Sequence, residues 1–123
     1  MFRRILVSTD GSPRSSRAIK TAAELAQTHG AALTIFHAIP TYRTPYYAEG
    51  MGFAWPSETQ YLKGMSREAE RILASAHALA EKQGVASTAV HAQGDDIALA
   101  IVAAAGKARA DLIVMASHGR KGL

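Results

Sequence analysis

The sequence predicts an open α/β domain, a doubly wound parallel sheet with helices on both faces. Four short apolar runs alternate with three stretches of helical periodicity. The first and last runs, residues 4–8 and 111–116, are apolar at successive positions, as in strands covered on both faces. Turn and capping residues mark the joins: Gly11-Ser12-Pro13, Gly30, Gly84 and Gly94-Asp95-Asp96. The resulting order, β-α-β-α-β-α-β, argues for parallel strands joined by crossovers.

The first strand is Arg4–Ser8, ending in Thr9-Asp10-Gly11-Ser12. Ser12 caps the next helix and Pro13 suits its first turn, where no backbone N–H is needed. That helix presents Ala18, Ile19, Ala22, Ala23, Leu25 and Ala26 on one broad face and stops near Gly30. The second strand is Ala32–Ile39, halted by Pro40. Residues 41–56 show no convincing period and hold Tyr42, Tyr46, Tyr47, Phe53 and Trp55. A segment of this length is either a binding loop or a cover whose aromatics pack on neighbouring core. From 57 to 84 apolar residues recur at helical steps, with Gly64 expected to weaken or bend the first part. Residues 85–93 read as the third strand. Asp95 and Asp96 then supply a turn and a capping carboxylate for a helix holding Ile97, Leu99, Ile101 and Val102. The fourth strand is 111–116.

The chain has 123 residues, 48% of them hydrophobic and 20% charged, which suits a single domain with a real core. Without cysteine, thiol catalysis and disulfides are excluded. No apolar run reaches the ~20 residues of a membrane span, and no signal peptide is evident, so the expected location is the cytoplasm. The net charge of +4 comes from dispersed residues with acids between them and no nucleic-acid-binding motif. A solvated surface explains it better than a nucleic-acid partner. The five histidines lack metal-ligand spacing. His37 and His91 read as packed or surface residues. His118, in the last loop, reads either as a turn residue or as a contact to phosphate or ribose. Neither a catalytic triad, a nucleophile elbow nor a P-loop is present. Binding rather than catalysis is expected, with slow hydrolysis of a bound ligand the enzymatic alternative.

Ligands of open α/β sheets bind beyond the carboxyl ends of the strands. Two loops lie there. In the first, Asp10 is able to accept hydrogen bonds from a ligand, or only to brace its own turn. In the second, Gly119-Arg120-Lys121-Gly122 lets backbone approach a ligand closely and adds positive charge.

The runs Ile5-Leu6-Val7-Ser8-Thr9-Asp10-Gly11-Ser12, Leu33-Thr34-Ile35-Phe36-His37-Ala38 and residues 111–122 resemble the universal stress proteins, a likeness covering nearly the whole chain. The resemblance implies a five-stranded parallel sheet, commonly dimeric, with one branch binding ATP or a related adenine nucleotide. A magnesium ion on the phosphates is a further option. It places Asp10 on the nucleoside, the main chain near Ala38 and Ile39 along the adenine, and Gly119 and Gly122 in the phosphate loop. Thr9, Gly11, Ser12, Met115, Ser117, His118 and Arg120 complete the implied site. The family pattern continues past Gly122 to a Gly-Ser or Gly-Thr pair, whereas this sequence ends at Leu123. The expectation is one truncated domain, 1–123, whose fifth strand is missing and whose fourth strand becomes a sheet edge. A homodimer and an adenine nucleotide are the expected partners, with neither nucleic acid nor membrane. A second branch of the family implies the alternative, an interaction scaffold that binds no nucleotide.

Overall fold

The computed structural model of the chain describes residues 1–43 and 55–117. The elements are β1 (Arg4–Ser8), α1 (Pro13–His29), β2 (Ala32–Ile39), α2 (Glu58–Lys82), β3 (Ser87–Gln93), α3 (Ile97–Ala108) and β4 (Leu112–Val114). All four strands pair in parallel, in the order β3-β2-β1-β4. The predicted alternation and sheet type are therefore observed.

Local chemistry sets the helix limits. Ser12 is extended (ψ 161°), and its Oγ accepts from the Ser15 N–H at 3.2 Å with Pro13 in the first turn. Gly30 ends α1 in the left-handed region (φ 65°), its N–H donating to the Ala26 carbonyl. Ser57 and Gln60 form a reciprocal capping box at the start of α2. Gly64 does not break α2, which runs unbroken for 25 residues. Asp96 caps α3.

Two strands are shorter than predicted. Val85 lies ahead of β3, where it packs into the core and donates its N–H to Ala80 O. Asp111 lies ahead of β4 and uses its carboxylate on the Arg3 and Arg4 N–H groups, at 2.9 and 3.0 Å. Residues 115–117 run on past β4 without strand pairing.

Side-chain alternation divides the core between two faces of the sheet. Ile5, Val7, Leu33 and Ile35 pack with Ala18, Ile19, Ala22, Ala23 and Ala26 of α1 and with Leu73, Ala76 and Ala80 of α2. On the other face Leu6 and Phe36 meet Ile101 and Ala105 of α3. The many alanines let α1 and α2 lie close to the sheet. The second core is much the smaller, and α3 turns Leu99 (66% exposed) and Val102 (61%) to solvent.

Candidate functional site

β1 is central, and the chain moves outward from it through β2 and β3 before returning to pair β4 on its other side. Loops leaving β1 and β4 therefore diverge, and a crevice opens between them at the carboxyl ends. A cavity of about 370 Å³ occupies this place. Ser8, Thr9 and Asp10 form one wall, with Phe36, His37 and Ala38 from β2. Ile97, Ala98 and Ile101 of α3 form another, and Met115 and Ala116 close the β4 side.

The turn after β1 is held by its own side chains. Thr9 Oγ1 accepts from the Gly11 N–H at 3.1 Å and shares a 2.9 Å bond with Ser15 Oγ. Asp10 Oδ1 accepts from the Ser12 N–H at 2.9 Å. Hydrogen bonds from the Ser12 side chain and backbone hold the Asp10 carboxyl below the ordinary carboxylate range, so it is an anion at neutral pH. Asp10 thus braces its own turn, and it also lines the cavity. Gly11 has φ +84°, and a Cβ there would stand 3.1 Å from Ile72 Cγ1 of α2. The torsion favours glycine, and the Ile72 side chain would have to give slightly to admit a Cβ.

β1 and β2 separate at this level. The Thr9 N–H donates to Phe36 O at 2.9 Å, and beyond it the His37 Nδ1 lies 2.8 Å from Thr9 O. An imidazole thus takes the carbonyl that the next rung of the ladder would have used. β2 continues beside β3 to the Ile39–Gln93 pair.

The predicted site residues fall into three groups. Thr9, Asp10, Ser12, Ala38 and Met115 line the cavity. Gly11 instead faces a smaller cavity of about 180 Å³ between α1 and α2, with Ser16, Ile19 and Ile72. Ile39 is not on the wall: its side chain is buried, and its carbonyl already accepts from the Gly94 N–H at 3.0 Å. Ser117 borders an adjoining groove with Arg14 and Arg17 of α1. His118, Gly119, Arg120 and Gly122 lie outside the described residues.

His37, read from the sequence as a packed or surface residue, is packed, and the sequence did not place it beside the cavity. Its signal is a polar side chain inside the otherwise apolar end of β2, a position that demands a partner. His91 is exposed on the edge strand. Of the two acidic residues before α3, only Asp96 caps. Asp95 accepts from the Thr41 N–H at 3.2 Å and pairs with Arg43, tying the start of the aromatic segment to this loop. Nearby, Tyr42 and Tyr61 donate to Pro56 O and Pro40 O, each at 2.6 Å. The rest of that segment, 44–54, is outside the described residues. Among the described residues no three His, Asp or Glu side chains gather to hold a metal, and no helix is long and apolar enough to cross a membrane.

The sequence matches the universal stress protein family over residues 1–123. The chain belongs to that family. It is 36% identical over 124 residues to a universal stress protein of Thermus aquaticus, covering 97% of this chain and 80% of that one. A universal stress protein A homolog of Coxiella burnetii is 30% identical, over 99% of this chain and 81% of its own. Among solved structures, a family member from Burkholderia pseudomallei superposes with a TM-score of 0.76 at 30% identity, over 94% of this chain and 81% of the other. A universal stress protein in complex with cAMP gives 0.70 at 24% identity, over 92% and 75%. One from Archaeoglobus fulgidus in complex with dAMP gives 0.62 at 22%, over 92% and 79%. These universal stress proteins share the parallel-sheet architecture described above.

Proposed function

We propose that this universal stress protein serves the stress response by binding an adenine nucleotide, ATP or a close relative, in the cavity above β1 and β4. One observation carries the reading: an anionic acceptor, Asp10, stands in a cavity also lined by the apolar Phe36, Ile97, Ile101 and Met115. A nucleoside has this division, a flat apolar base and a ribose whose hydroxyls donate to a carboxylate. The complexes of fold neighbours with cAMP and dAMP support an adenine ligand. In this reading the backbone of Gly119 and Gly122 receives the phosphates, with magnesium as their counter-ion. The protein binds rather than turns over nucleotide.

Calorimetric titration with ATP and magnesium tests it. Binding is expected, and Asp10→Ala should weaken it by about tenfold to a hundredfold, the loss of one charge-assisted hydrogen bond. Absence of binding at millimolar nucleotide defeats the proposal, and multiple turnovers of ATP abolished by Asp10→Ala would instead make the protein an ATPase.

A homodimer belongs to the same reading, supported by the exposed Ile113 on the edge strand β4. The scaffold alternative rests on the same apolar surface. Light scattering with and without ATP separates them, since a scaffold dimerises with no nucleotide affinity.

A further inference from the structure

We propose a second activity, remote from the nucleotide cavity: Ser87, assisted by His77 and Glu81, takes the acyl group of small uncharged esters and passes it to water. Ser87 opens β3, and His77 and Glu81 lie in the last turns of α2. All three are at the amino end of the sheet, whereas the cavity opens beyond the carboxyl ends. Ser87 and His77 come from different elements, so spacing along the chain gives no sign of the pairing.

Ser87 Oγ is 2.7 Å from His77 Nδ1, and His77 Nε2 is 3.7 Å from Glu81 Oε2. The carboxylate decides the direction of the shorter contact. It accepts and never donates, so Glu81 favours the tautomer with its proton on Nε2. Nδ1 then carries the lone pair and the Ser87 hydroxyl donates to it, the orientation that general-base activation of a serine requires. At 3.7 Å the neutral ring gains little from Glu81. Once the ring takes the serine proton it is a cation beside a carboxylate, so the attraction grows as the reaction proceeds. The pair faces solvent, which keeps that help modest.

The group is open to a substrate. The His77 and Glu81 side chains are 43% and 74% exposed, and Ser87 is half-buried. Ser87 also borders a groove of about 490 Å³. Ala26, Leu33 and Val85 of its lining belong to the core under α1 and α2, the face that Ser87 shares with its register partner Leu33. No charged residue lines the groove, which suits a neutral ester. In the first step Oγ bonds to the ester carbonyl carbon and its proton passes to Nδ1. The alcohol leaves with that proton as the C–O bond breaks. In the second step water adds to the acyl-serine, His77 takes a proton from it and returns one to Oγ, and the acid departs. Ester and water become acid and alcohol, and the protein is unchanged.

The test treats the full chain with p-nitrophenyl acetate. Mass spectrometry of the quenched wild type should find an acetyl group on Ser87. Nitrophenolate release should fall by about tenfold in Ser87→Ala, and His77→Gln should lose the acetyl-serine. Glu81 acts through His77 as a positioning residue, so Glu81→Gln should lower kcat by about threefold and leave KM unchanged. Exposed imidazoles hydrolyse this ester without a serine, so the position of the acetyl group decides together with the rate. The acetyl map is made on the wild type and does not depend on any variant's folding. Acetyl found only on histidine or lysine, or an undiminished rate in Ser87→Ala, overturns the proposal and leaves nucleotide binding untouched.

Discussion

Gly11 shows how much one residue in the β1 turn has to satisfy. Its φ of +84° is a conformation L side chains rarely adopt, and a Cβ there would stand 3.1 Å from Ile72 Cγ1 of α2, which would have to shift slightly. Gly11→Ala should therefore cost about 1–3 kcal/mol in urea unfolding. Paired with Ile72→Ala, which opens the space, the substitution should lose the steric part and keep the torsional part. A double-mutant cycle measures the difference, and strictly additive costs would show that Ile72 does not press on the turn. Asp10 was legible in the sequence as a carboxylate at a strand end. Its bond to Ser12 N–H and its place on the cavity wall were two readings that the residues alone could not separate. The family resemblance implied Gly11 and Ile39 for the site; the groups that contact them, Ile72 beside Gly11 and the Gly94 N–H on the Ile39 carbonyl, are distant in sequence.

At the scale of elements, the helices were the most readable parts, since a stop at Gly30 or a start at Ser57 depends on residues within one turn. Strand ends were less so. The start of β4 is set by Asp111, whose carboxylate takes the Arg3 and Arg4 N–H groups more than 100 positions away. Those bonds hold its carboxyl below the ordinary carboxylate range. A carboxylate whose folded value is depressed stabilises the fold above its unfolded value of about 4, and loses that contribution as pH falls through the folded value. Asp111→Asn should accordingly lower the urea midpoint at pH 7, with the gap from wild type closing as pH drops below about 4. A gap that stayed constant into acid would show that the charge is not what matters.

At the scale of the molecule, the two faces of the sheet are unequally supported. Among the described residues the face covered by α1 and α2 carries the larger core, while the buried residues on the α3 face are Leu6, Phe36, Ile101 and Ala105. Phe36 is fully buried and also lines the cavity. Phe36→Ala should cost about 3–5 kcal/mol in urea unfolding. Amides of α3 should lose hydrogen-exchange protection before those of α1, because little else packs α3 down. Uniform loss across the sheet would mean that the two cores unfold as one unit.

The sequence by itself determined the class of fold, the order of elements, the helix caps and the strand ends beyond which the cavity opens. Each follows from periodicity and from residues a few positions apart. Only the tertiary structure decided which side chains reach that edge. The divergence of β1 from β2, with His37 bonded across the gap to Thr9, joins positions 28 apart. The approach of Ile72 to Gly11 and the tie from Asp95 to Arg43 join positions still farther apart. Contacts of that kind depend on how strands and helices pack together, and short-range pattern carries no record of it.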